Sequence, residues 1–346
     1  MAAMQTTDEQ DYGRYMRTLL IQSQPASLAV SRSEAGHLWA VLLAGGDGIR
    51  MQALTRRISG DSRPKQFCPI VGRKTLFEQT RLRIEPLFAR NRQVFVLSRD
   101  HERYYREQLT DAGESLRLVQ PVNRGTGTAM ILALINILER DADAIVGFFP
   151  CDHYYSCDDS FQATVRSAAA ASRQHPNSLV LVGAEANYPE AEYGWIEPEQ
   201  DGFHSEAGLL FRVKQFWEKP PVHVARTLLA RGCLWNTFVT VGRAATFLEL
   251  FCSQVPQSVT SLRQSIANVS LDSAYHQLPA VDFSRDVLTH VTRRLQVLRD
   301  RTSGWVDLGS PARVLATLTQ NGIEPDWITE QDASISNPGE RTVVRQ

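Results

Sequence analysis

Along this chain, apolar runs of strand type alternate with segments in which apolar and polar positions follow a helical period. Short apolar runs of strand type, "LWAVLLA" (Leu38 to Ala44), "RQVFVLS", "LRLVQP" and "AIVGFFP", are each followed by a segment of helical period. Those segments are "TLFEQTRLRIEPLF", "DHERYYREQL", "TGTAMILALINILER" and "DSFQATVRSAAAAS". The alternation predicts an α/β fold, a doubly wound, Rossmann-like sheet with helices on both faces. In the second half, "SLVLVGAEA", "YGWIEPE", "GLLFRVKQFWEKP" and "LWNTFVTVG" predict further strands in a more mixed sheet. The segment "PVHVARTLLARG" forms a helix between them, and the whole is expected to continue one core. Residues 1–36 are polar and weakly periodic and read as a peripheral or partly disordered extension, 37–320 as the main domain, and 321–346 as a short tail. No internal repeat is visible.

Ligands of such sheets sit at the carboxyl ends of the strands, so the sequences there hold the candidate chemistry. After the first strand comes "AGGDGIRMQALTRR". A dinucleotide fingerprint would need a third glycine where Met51 stands, and a P-loop would need Gly-Lys-Ser/Thr, which is absent. What remains is Gly45, Gly46 and Gly48 at a strand end, where backbone N–H groups can converge on an anion. Arg50, Arg56, Arg57, Arg63 and Lys65 supply cations to the same region, so phosphate is the fitting guest. Taken alone, the loop is equally a tight turn beside a solvated basic face.

Composition narrows the partners. With 346 residues, 43% of them hydrophobic and 22% charged, the chain can bury a large core. The balance of 37 Lys and Arg against 38 Asp and Glu excludes the basic excess of a nucleic-acid binder. Five cysteines without a CxxC pair suggest neither a disulfide framework nor a zinc site and are expected to be reduced core thiols. No apolar run has membrane-spanning length, and the acidic start "MAAMQTTDEQDYGRY" is unlike a signal peptide. A cytoplasmic location is therefore expected, and the sequon Asn268-Val269-Ser270 carries no weight.

Taken in order, the glycine loop, "SRPKQF", "QPVNRGTGTA", "PCDHYY", "YGWIEP", "FWEKP", "LWNTFV" and "GWVDLGS" form a constellation from about Leu38 to Val314. It resembles the sugar-phosphate nucleotidyltransferases, and most closely the bacterial mannose-1-phosphate guanylyltransferases. The resemblance implies the fold of the nucleotide-diphospho-sugar transferases. It also implies an enzyme that makes a nucleotide sugar, GDP-mannose first, from a nucleoside triphosphate (GTP favoured) and a hexose 1-phosphate. The reaction implied is a single in-line displacement that needs no nucleophilic side chain. Magnesium is the implied cofactor and a homodimer an implied assembly.

Residue by residue, the resemblance puts Leu43, Ala44, Gly45, Gly46 and Gly48 around the nucleotide phosphates, with Arg50 steadying the leaving pyrophosphate. Lys65 falls near the α-phosphate. Gln120, Asn123, Gly125 and Thr126 fall in the nucleoside segment, Gln120 facing the base and Gly125 permitting close approach. Asp152, also catalytic, and Asp307 match the two carboxylates that hold magnesium. Tyr193, Gly194, Glu218, Lys219 and Asn236 match the sugar-phosphate pocket, and Asp282, a looser match, lines it. Without the resemblance, Glu218 and Lys219 read as an exposed pair ending a strand at Pro220. His153 reads as a structural hydrogen-bonder rather than a metal ligand. Trp195, Trp217 and Trp235 read as core or pocket wall.

The chain departs from the family at Ala53, where proline is usual, and in a longer link between glycine loop and lysine. Its nucleoside segment also differs from the usual "EPxGRNTAPA" type. A sister activity with UTP or dTTP and glucose 1-phosphate therefore stays open, as does a non-catalytic sugar-nucleotide sensor. A nicotinamide oxidoreductase is disfavoured by the missing third glycine and by the lack of a ribose-binding acid in "RQVFVLS". The stretch after Val314 is too short for the isomerase domain or β-helix of some members, so the transferase alone is expected.

Overall fold

The computed structural model describes residues 37–205, 208–267 and 271–328. The N-terminal extension, the sequon and the tail from 329 onward lie outside the described residues.

Among the described residues, nine strands form one sheet: β1 (Leu38–Leu43), β2 (Gln93–Ser98), β3 (Arg117–Gln120), β4 (Ile145–Pro150), β5 (Leu179–Glu185), β6 (Gly194–Ser205), β7 (Gly208–Glu218), β8 (Leu234–Arg243) and β9 (Leu295–Asp300). Their order is β3-β2-β1-β4-β8-β5-β9-β7-β6. The first four strands run parallel. Strand β8 is antiparallel to β4, β5 and β6, while β5 and β9 pair in parallel. The expected mixed α/β sheet is thus present, and the texture change in the second half corresponds to the switch from parallel to mixed pairing.

Both faces of the sheet are covered, which explains why its strands read as continuous apolar runs. In β1, Trp39 and Val41 join one buried cluster while Leu38, Ala40 and Leu42 join the cluster on the opposite face. The Gly125–Leu138 helix packs on the first side, and the Asp158–Gln174 helix on the second. The Leu76–Ile84 helix starts at a capping box in which Thr75 and Glu78 satisfy each other's backbone N–H groups.

A third, smaller cluster matters most for the site. Met51 and Leu54, beside the glycine loop, pack with Cys68, Ile70 and Val71 and with Leu308, Val314 and Leu318 near the Pro311–Gln320 helix. Ile323 and Trp327 pack against the same cluster, and the Trp327 indole N–H donates to the Ile70 carbonyl at 3.1 Å. Apolar burial therefore clamps the segments carrying Arg50, Lys65 and Asp307 together, although they are far apart in sequence.

Of the cysteines, Cys68, Cys151 and Cys233 are buried, but Cys252 is exposed and Cys157 half-buried, so the core expectation holds for three. Trp195 is fully buried and Trp235 nearly so, as expected of core or pocket-wall residues. Among the described residues, no helix is long and apolar enough to cross a membrane.

Candidate active site

The carboxyl ends of β1, β3 and β4 open into a cavity of about 380 Å³. On one side its walls include Leu43, Gly45, Gly46, Arg50, Gln120, Asn123, Gly125 and Thr126. Tyr193, Gly194, Glu218, Lys219, Asn236 and Asp282 form the opposite wall, with Asp152 and Asp307 completing it. Sixteen residues singled out from sequence thus line one space. Ala44 and Gly48 do not line it: Ala44 is buried in the core, and Gly48 turns the chain with a φ of 60°. A Cβ at Gly48 would lie 3.1 Å from the Lys65 backbone nitrogen, so glycine there serves the close approach of two loops.

Lys65 is buried directly behind the two aspartates of the wall. Its ammonium lies 3.3 Å from an Asp152 carboxylate oxygen and donates to the Asp307 carbonyl at 2.5 Å. Beside it, the Gln66 amide donates to the carbonyls of Ala44 and Gly46 at 3.0 and 2.7 Å, which fixes the glycine loop. Gln66 stands within "SRPKQF", yet the sequence reading gives it no role; its polar side chain between Lys65 and an apolar Phe67 is the available signal.

Burial opposes charge on Asp152, but Lys65 and His153 outweigh it and hold the carboxyl below its ordinary value. Asp307 is likewise lowered, with burial outweighed by Lys65, His153 and Arg313. Its Oδ1 accepts from the Tyr193 hydroxyl at 3.0 Å, from the Gly309 N–H at 2.7 Å and from Arg313. Arg313 also pairs with Glu190. Neither Arg313 nor Glu190 stands in any motif, and only the fold brings Glu190 to the Arg313 that holds Asp307. His153 behaves as the structural hydrogen-bonder expected: its Nδ1 accepts from the Trp305 indole at 3.1 Å, and burial lowers its pKa despite Asp152.

Two aspartates with an ionised carboxylate each are a hard-oxygen donor set that suits magnesium. Among the described residues no cluster of three or more His, Cys, Asp or Glu side chains could hold a metal. A magnesium ion here would therefore complete its shell with phosphate oxygens and water, its usual habit.

Arg50 crosses the mouth of the cavity, donating from Nη1 to Glu192 at 2.6 Å. Both side chains are exposed. Asn123 accepts from the Gly125 N–H at 2.9 Å through Oδ1 and approaches Asp47 of the glycine loop at 3.3 Å through Nδ2. Gly125 has a φ of 81°, and a Cβ there would lie 2.3 Å from the Val281 carbonyl oxygen. The close approach that demands glycine at 125 is thus made by the chain at Val281. Thr126 binds that same segment, its hydroxyl accepting from the Phe283 N–H at 3.0 Å.

On the far wall, burial raises the Glu218 carboxyl above its ordinary value although Lys219 stands 3.1 Å away. Asn236 accepts from the Phe238 N–H at 3.1 Å, and Asp282 caps the short Phe283–Asp286 helix through the Arg285 N–H. The non-glycine residues with left-handed backbone among those described are Lys219, Phe238 and Leu308. The first two line the cavity and the third follows Asp307, a concentration of strain of the kind found at functional sites.

The sequence pattern of the family described as nucleotidyl transferase matches residues 39–320. The xanthan biosynthesis protein XanB of Xanthomonas campestris pv. campestris is 29% identical over 82% of this chain and 60% of its own. A mannose-1-phosphate guanylyltransferase of Sinorhizobium fredii is 26% identical over 81% of this chain and 55% of its own. The chain thus spans 60% or less of the length of these curated relatives. Among solved structures, one described as mannose-1-phosphate geranyltransferase from Thermus thermophilus superposes with a TM-score of 0.69 at 28% identity, over 79% of this chain and 76% of that one.

Proposed function

The chain belongs to the nucleotidyl transferase family, and on that premise we propose that it makes a nucleotide sugar, with GTP and mannose 1-phosphate as the leading substrate pair. The observation that carries this reading is the meeting, in one cavity, of the glycine loop, the Gln120 amide, Asp152 and Asp307 beside the buried Lys65, and a second wall with Glu218, Lys219 and Asn236. The relatives named for mannose 1-phosphate support the choice of sugar.

In the proposed reaction a phosphate oxygen of the sugar 1-phosphate attacks the α-phosphorus of the triphosphate. A new P–O bond forms as the bond to the bridging oxygen breaks, and that oxygen leaves with its electron pair as pyrophosphate. The nucleophile is already anionic, so no side chain has to remove a proton. Catalysis comes from alignment and charge neutralisation. Lys65 offsets charge that builds on the equatorial oxygens. Arg50, exchanging Glu192 for the β- and γ-phosphates, steadies the leaving group. Glu218 and Asn236 orient sugar hydroxyls, and Lys219 meets the sugar phosphate. Asp152 and Asp307 would hold magnesium, which when bound supplies Lewis-acid neutralisation of the phosphates. The reading is tested by purified-protein turnover: pyrophosphate should appear only with both a nucleoside triphosphate and a sugar 1-phosphate present.

The departure at "QPVNRGTGTA" favours a second reading in which the same chemistry runs with UTP or dTTP and glucose 1-phosphate.

A further inference from the structure

Gln120, at the end of β3, is almost wholly buried, yet it lines the cavity. Its Oε1 accepts a hydrogen bond of 2.7 Å from the hydroxyl of Tyr275, a residue with no exposed surface on the Leu271–Gln277 helix. At the other end of the carboxamide, Nε2 faces the Leu97 carbonyl at 3.5 Å. Turning the amide over would set Oε1 against that carbonyl, oxygen against oxygen, so the two contacts select one orientation. In that orientation Nε2 lies against Gly45, where a Cβ would come within 2.6 Å of it. The acceptor end of the amide thus faces Tyr275, while its N–H end lies beside Gly45 of the cavity wall.

The helix that supplies Tyr275 is fastened to the cavity wall itself. Arg124 donates to the Tyr275 carbonyl at 3.1 Å and also to that of His276. The Val281 N–H donates to the Arg124 carbonyl at 3.0 Å, and the Gly127 N–H to the Val281 carbonyl at 2.8 Å. Arg99, just after β2, pairs with Asp272 at 2.7 Å. Tyr275 is therefore held in register with Arg124–Gly127, the segment that forms the nucleoside wall.

We propose that Tyr275 is a positioning residue for base selection: by holding the carbonyl end of Gln120 toward itself it turns the N–H end of the amide to meet the base, so the site takes bases that present a carbonyl there and rejects those that present an amino group. Guanine, uracil and thymine carry a carbonyl at the edge where adenine and cytosine carry an exocyclic amine, which would oppose donor to donor. A mispaired buried polar group is what makes such discrimination strong. The inference rests on the proposed nucleotide role of this cavity, but it holds for either of the two substrate pairs above and separates both from ATP and CTP.

The test measures equilibrium binding of GTP, UTP, ATP and CTP, and pyrophosphate release from each with mannose 1-phosphate and glucose 1-phosphate, in the wild-type protein, Tyr275→Phe, Gln120→Met and the double variant. The wild type should prefer GTP or UTP over ATP and CTP by at least about tenfold in affinity and in kcat/KM. Tyr275→Phe keeps the ring in its buried place but frees the amide; it should lower that preference severalfold through KM, with kcat nearly unchanged. In the Gln120→Met background the same change should have no further effect on preference. Equal wild-type binding of all four nucleotides would overturn the inference, as would a Tyr275→Phe protein with unaltered preference. Release from no pair, with selective binding intact, would remove the catalytic reading and leave the role of Tyr275 standing; loss of all nucleotide binding in the wild type would remove both.

Discussion

The Lys65 ammonium stands between the Asp152 carboxylate, at 3.3 Å, and the Asp307 main-chain carbonyl, at 2.5 Å, so one buried cation joins the ends of three distant segments. Its polar contacts aim toward the cavity wall rather than into the core. Lys65→Met, which keeps much of the apolar stem, should therefore slow turnover by about 10²-fold or more while the protein stays folded. Steady-state kinetics together with circular dichroism checks this. A variant with near-normal kcat would take Lys65 out of the chemistry.

Arg50 and Glu192 make the second test. Exposed ion pairs contribute about 0–1 kcal/mol, so neither Arg50→Ala nor Glu192→Gln should shift thermal stability much. Their kinetic effects should have opposite signs. Arg50→Ala loses a partner for the leaving pyrophosphate and slows release, whereas Glu192→Gln frees Arg50 and should lower KM for the triphosphate. If both variants weakened nucleotide binding alike, the exchange of Glu192 for phosphate would be wrong.

Gly45 gives a steric prediction. In Gly45→Ala the new methyl would sit 2.6 Å from the Gln120 amide nitrogen, which cannot retreat because Tyr275 holds its other end. KM for the triphosphate should rise at least about tenfold, with little change in KM for the sugar phosphate. Equal increases in both would point to a general disturbance of the loop.

Glu218 predicts a pH dependence. Burial raises its carboxyl above the ordinary value of 4.5, with Lys219 only partly compensating and Asp282 adding to the rise. A group raised by folding contributes stability that is fully present below its unfolded value and is lost as pH rises through the native one. Glu218→Gln removes that loss, so its melting temperature relative to wild type should be higher at pH 7 than at pH 4. The same variant should bind sugar 1-phosphate more weakly, since an amide replaces one acceptor with a donor. An advantage that grew toward acid pH would reverse the sign and refute the burial argument.

Much of this is legible in the chain. Apolar runs set between segments of helical period locate the strands, and strand ends locate most of the cavity wall, because a parallel sheet puts its ligands there. What escapes is set by tertiary packing. Arg313 joins Asp307 to Glu190 only because the cluster around Met51, Val314 and Leu318 folds the Pro311–Gln320 helix against the glycine loop. Tyr275 stands in none of the sequence motifs, and nothing local says that its hydroxyl will meet Gln120 across 155 residues. Gly125 is legible as a glycine that permits close approach, but the group that crowds it, the backbone at Val281, is not.

The central claim is nucleotidyl transfer to a sugar 1-phosphate. The most direct measurement is pyrophosphate release by the purified protein with magnesium, each of GTP, UTP, dTTP, ATP and CTP in turn, and a panel of sugar 1-phosphates. The account predicts release that needs both substrates, with the highest kcat/KM for GTP and mannose 1-phosphate. No release from any pair, under conditions where the triphosphates demonstrably bind, would contradict it.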